Sequence, residues 1–125
     1  MSENPTYDKA YSFSIKIVGL YRHIIERKEF DISRQCLRSG TANCALISES
    51  KYAQSDLDFL NKIYVALKEA NETCYWLSLM KDTGIITISE YEEVAPEANE
   101  LVKILSSITK TMRDKIEQKK KKLKP

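Results

Sequence analysis

Apolar residues recur three and four positions apart in four long blocks of this chain, and short polar links separate the blocks. In the first block Ala10, Phe13, Ile17, Leu20 and Ile24 share one face of a helix running from Thr6 or Tyr7 to Arg27. Ile15, Val18 and Ile25 widen that stripe, which suits burial against bundle partners or another subunit. A link over Lys28–Ile32 follows, with Asp31 or Ser33 placed to cap the second helix. That helix carries Cys36, Leu37, Thr41, Cys44 and Ile47. Its run of small residues, Ser39, Gly40, Thr41 and Ala42, predicts close approach by another helix or a local kink.

The third block starts at Ser55 or Asp56 and runs to about Asp82. Leu57, Leu60, Ile63, Tyr64, Leu67, Ala70, Cys74 and Leu77 are expected to face inward, and Gly84 to stop the helix in a left-handed cap. Ser89 with Glu92 three residues on reads as a capping box opening the fourth helix. Val94, Leu101, Leu105, Ile108 and Met112 form its stripe, and Pro96 is expected to bend or interrupt it. Long helices on short links make sequence neighbours antiparallel. The fold class is therefore all-α, an up-down-up-down four-helix bundle. The bundle is assigned to residues 1–118 and a lysine-rich tail to 119–125.

Composition narrows the class. With 125 residues, the chain makes one domain with a core of its own. Only 3 Gly and 3 Pro are present, which favours long helices over a turn-rich sheet. The first residues, MSENPTYDKAYSFS, lack the basic start and apolar run of a signal peptide, and no apolar run is long enough to span a membrane. The 3 cysteines form no CxxC pair and are odd in number, which points to a reduced, cytoplasmic protein.

The segments LRSGTANCALISESKYAQSDLDFLNK and ALKEANETCYWLSLMKDTGII resemble the four-helix-bundle family of bacterial rRNA intervening-sequence proteins. The accessory variability determinants of diversity-generating retroelements look like a branch of that family. The resemblance covers about Tyr7 to Ile116, and its Leu37–Thr41, Ala53–Phe59 and Ala66–Gly84 runs are the most specific. It implies a homopentameric, barrel-like ring with no established enzymatic activity. The retroelement proteins bind nucleic acid and a partner reverse transcriptase through a basic surface. Where relatives carry Gly-Ala-Asn-Ile or Asn-Ile-Ala-Glu, this chain is read as Cys44-Ala45-Leu46-Ile47, so the family's amide is expected to be missing.

No constellation for catalysis, metal or cofactor emerges. His23 is the single histidine and has no Cys or His at ligand spacing. Glu69 and Glu72 are read as solvated charge or inter-subunit pairing. Tyr75 and Trp76 are adjacent, so one is expected inside the bundle and the other at a subunit seam. Lys9, Lys16, Arg22 and Arg27 add positive charge to the first helix. Arg34 and Arg38 lie one turn apart on the second helix, and Lys119, Lys120, Lys121, Lys122 and Lys124 close the chain. Arg34, Arg38 and Lys119–Lys122 are the candidate phosphate contacts. A ring would multiply them into one patch. The expected partners are RNA or DNA, further copies of the chain, and a protein such as a reverse transcriptase, with no membrane. A protein-interaction module that binds no nucleic acid is the alternative, favoured by Glu90, Glu92, Glu93, Glu97 and Glu100.

Overall fold

The structure, a computed structural model, describes residues 4–123. Four helices follow in order: α1 over Pro5–Glu26, α2 over Asp31–Ser50, α3 over Asp56–Asp82 and α4 over Ile88–Leu123. Each packs on two others, α1 on α2 and α4, α3 on α2 and α4, and no diagonal pair comes close. The result is the expected up-down-up-down bundle. Its lower end holds the α1–α2 and α3–α4 turns, and its upper end holds the α2–α3 turn.

Local chemistry sets the helix ends. Asn4 accepts from the Tyr7 N–H at 3.0 Å, and Pro5 sits in the first turn where its missing donor costs nothing. Ser55 caps α3 by accepting from Asp58 N–H at 3.0 Å. Gly84 takes φ +79°, which allows Ile85 N–H to reach Met80 O at 2.9 Å and Gly84 N–H to reach Lys81 O at 3.1 Å, closing a Schellman turn.

Two expectations about helix ends and one about Pro96 are corrected. Neither Asp31 nor Ser33 caps α2: Phe30 holds the cap position without a side-chain bond, and the buried Ser33 hydroxyl donates back to Glu29 O. The capping box of α4 is Thr87 with Glu90, not Ser89 with Glu92. Glu90 N–H donates to Thr87 Oγ1 at 3.0 Å while Thr87 N–H donates to Glu90 Oε1 at 2.9 Å. Pro96 does not interrupt α4, which continues unbroken for 36 residues. At about 1.5 Å per residue it spans roughly 54 Å and is the longest of the four.

The core is built from Phe13, Ile17 and Ile24 of α1, Ile47 of α2, Ile63, Leu77 and Met80 of α3, and Leu101 and Leu105 of α4. Gly40 allows α1 to approach α2, since a Cβ there would fall 2.9 Å from Ile17 Cγ2. The expected inward face of α3 needs revision. Leu57 and Tyr64 are 58% and 49% exposed, while Ala66, Thr73 and Met80 are buried in their place. α3 has apolar residues on two sides, and only one side meets the core.

α2 buries polar residues that periodicity does not reveal: Ser33, Ser39, Asn43 and Ser50. Ser39 accepts from Thr73 Oγ1 at 2.9 Å, a side-chain bond between α2 and α3. Asn43 is fully buried, and neither end of its amide has a hydrogen-bond partner. This amide stands three residues before Leu46, the position where relatives carry their asparagine.

Candidate nucleic-acid interface

Arg34 and Arg38 project from the first half of α2, and both are exposed. Arg38 reaches across to α3, pairing with Glu69 at 3.0 Å and also with Glu72. Its charge is therefore matched within the chain, and Glu69 and Glu72 serve this contact. Arg34, one turn nearer the lower end, has no ion pair among the described residues.

Lys119 ion-pairs with Asp56 in the first turn of α3, and Lys115 lies 3.8 Å from the same carboxylate. The hydrogen bond from Lys119, with Lys115 behind it, pulls the Asp56 carboxyl below its ordinary range. Lys120, Lys121 and Lys122 are exposed on the last turns of α4, with no ion pair among the described residues. Lys124 lies outside the described residues. Because Arg34 sits toward the lower end and the lysines at the upper end, one chain does not join them into a patch.

The basic residues of α1 are largely spent on α4. Lys9 pairs with Glu100, Lys16 with Glu97, and Arg27 forks onto Glu90 at 2.8 and 3.0 Å. Arg27 also donates to Ile85 O at 2.9 Å. These bonds, with the Thr87 cap, hold Glu90 down at about 2. The α1–α4 seam otherwise leaves a cleft of about 630 Å³, bordered by Lys16, Leu20, His23, Glu90 and Glu93. His23 is exposed on its rim.

α4 is divided by charge. From Ile88 to Glu100 it carries five acids and no base; from Lys103 to Leu123 it carries eight bases and two acids. The acidic half faces the cations of α1. The basic half rises beyond them. Lys103, Lys110 and Arg113 are exposed there with no ion pair among the described residues, and none of them belongs to the terminal lysine run that stands out in the sequence. The seven-residue spacing of Lys103 and Lys110, on the side of α4 away from α1, was the signal available.

The remaining candidates settle into packing. Cys36 and Cys44 are buried and Cys74 is half-buried, all as free thiols. Burial pushes the Cys36 thiol up to about 12, so it is no nucleophile at neutral pH. Cys74 donates to Asn99 Oδ1 at 3.5 Å. Trp76 packs against the core while Tyr75 stays 58% exposed, edge-on to the indole at 5.0 Å. No cluster of three metal-binding side chains occurs among the described residues. No helix among them is long and apolar enough to cross a membrane.

The 23S rRNA-intervening sequence protein family matches residues 2–107. The chain belongs to that family. A crystal structure of a protein of unknown function from the S23 ribosomal protein family of Bacteroides thetaiotaomicron VPI-5482 is 48% identical in sequence. It covers 84% of this chain and 98% of its own length with a TM-score of 0.82. No curated protein matches the chain. The residues matched to the family stop short of Lys110, Arg113 and the terminal lysines.

Proposed function

We propose that this chain is a non-enzymatic, cytoplasmic homo-oligomer, a pentameric ring, that binds nucleic acid through its phosphates and serves as an adaptor or scaffold. The observation that carries this reading is the positive charge on the upper half of α4, where Lys110, Arg113 and Lys120–Lys122 have no ion pair among the described residues. Positive side chains along a rigid helix release counterions when they meet phosphates, which supplies affinity without sequence preference. Arg38 leaves the candidate set because Glu69 and Glu72 match its charge. Arg34 stays in it. In a ring, each copy repeats the basic end, and weak contacts add.

A second reading, a protein-interaction module, draws on α1. Tyr11 and Ile15 are 54% and 59% exposed on one outward stripe with Val18. That stripe also suits the contact between copies. Substituting Lys119–Lys122 with glutamine tests the first reading: RNA affinity should fall and its salt dependence flatten. Unchanged binding by that variant removes the helix end from the site.

A further inference from the structure

The outer face of the α3–α4 pair combines cations with exposed aromatic rings. Three contacts fix how the two helices are paired: Cys74 on Asn99 at 3.5 Å, Lys81 Nζ over the Tyr91 ring at 4.4 Å, and Asp56 with Lys119. In that antiparallel register Tyr64 lies level with Lys110, and Tyr75 with Asn99, four residues from Lys103. Lys68 lies between the two tyrosines. Tyr64 and Tyr75 are 49% and 58% exposed, and Lys68, Lys103, Lys110 and Arg113 are exposed without ion pairs among the described residues. Tyr64, Lys68 and Tyr75 sit four and seven residues apart on the outward side of α3, and Lys103, Lys110 and Arg113 occupy the matching side of α4.

Duplex phosphates need only cations, and a buried tyrosine would only fill the core. Two exposed tyrosines among four unmatched cations meet a different requirement. Single strands offer unstacked bases to aromatic faces while their phosphates follow the charge. The tyrosines are eleven residues apart, about 16 Å along the helix, which leaves several nucleotides between them.

We propose that the outer α3–α4 face is a platform for single-stranded nucleic acid, with Tyr64 and Tyr75 stacking on bases and Lys68, Lys103, Lys110 and Arg113 contacting phosphates. This inference rests on the nucleic-acid reading above and specifies its ligand. The stacking contacts are insensitive to salt and the phosphate contacts are not, so the two sets separate in one titration.

The test is fluorescence anisotropy of the full-length protein with labelled mixed-sequence strands of about 12 nucleotides, as single-stranded RNA, single-stranded DNA and duplex. The single strands should bind several-fold more tightly than the duplex. RNA tighter than DNA would indicate contact with the 2′-hydroxyl, and equal binding would indicate bases and phosphates alone; both agree with the platform. Tyr64→Ala and Tyr75→Ala should each weaken single-strand binding about tenfold with an unchanged salt slope, and the phenylalanine variants should restore it. Lys103→Gln and Lys110→Gln should each lower the salt slope by about 1. Circular dichroism of each variant separates loss of binding from loss of fold. Binding of nucleic acid that ignores both tyrosines, or that prefers the duplex, overturns the platform and leaves the phosphate-binding reading standing. Binding of no nucleic acid at low salt, or of acidic polypeptide only, overturns both.

Discussion

Arg27 and Glu90 join the lower end of the bundle through a two-pronged ion pair, with N···O distances of 3.0 and 2.8 Å. Glu90 also accepts from Thr87 N–H, so one carboxylate holds the end of α1, the α3–α4 turn and the start of α4. Its folded value of about 2 lies below its ordinary 4.5. A depressed carboxylate contributes stability that is complete above its unfolded value and is lost as pH falls through the folded one. The thermal midpoint should therefore drop between about pH 4.5 and pH 2, and drop less in Glu90→Gln. Glutamine retains the capping box and removes the charge, so at neutral pH its cost should stay under about 1 kcal/mol. Glu90→Ala also loses the return bond from Thr87 N–H, while Thr87 Oγ1 still caps residue 90, and should cost about 1 kcal/mol more.

Gly40 is held by the side chain of Ile17. A Cβ at this position meets Cγ2 at 2.9 Å and Cγ1 at 3.0 Å, on a β-branched residue in the core. Overpacking costs about 1–3 kcal/mol, and removing a helical glycine returns about 1. Gly40→Ala should thus be net destabilising by chemical denaturation. In an Ile17→Ala background the same change should become neutral or stabilising, because the opposing atoms are gone.

Asn43 carries an unpaired amide in an apolar interior. Leucine has nearly its shape and no polar atoms, so Asn43→Leu should match or exceed wild-type stability, by up to about 1 kcal/mol. A loss of more than about 2 kcal/mol would mean that the amide is paired, for example with an ordered water.

Arg38 separates exposed charge from available charge. Its guanidinium is half exposed yet already matched by Glu69 and Glu72. Arg38→Gln should leave nucleic-acid affinity within about twofold of wild type, whereas Lys110→Gln with Arg113→Gln should lower it about tenfold at low salt. Anisotropy titrations of the two variants side by side give the comparison.

The helix count, the order and the ends of α3 were legible because Ser55 and Gly84 act on the nearest few backbone groups. The start of α4 was not, since Thr87–Glu90 and Ser89–Glu92 both satisfy the capping pattern. The bonds from Arg27, sixty-three residues away, fall on Glu90. Leu57 and Tyr64 fit the core period of α3 equally well as its outward stripe, and only the positions of α2 and α4 distinguish them. The buried Ser39 and Asn43 look like solvent-facing residues until Thr73 and the core surround them. The charge site was half legible. The terminal lysines stood out as a run, but the matching of Arg38 by α3 and of Lys9, Lys16 and Arg27 by α4 depends on tertiary pairing.

The most direct test of phosphate binding by this family member is a titration of the purified protein with structured RNA and duplex DNA at several salt concentrations. The account predicts micromolar or tighter binding that weakens steeply with salt, with a slope that counts the phosphates neutralised. Absence of binding to either nucleic acid at the lowest salt would contradict it.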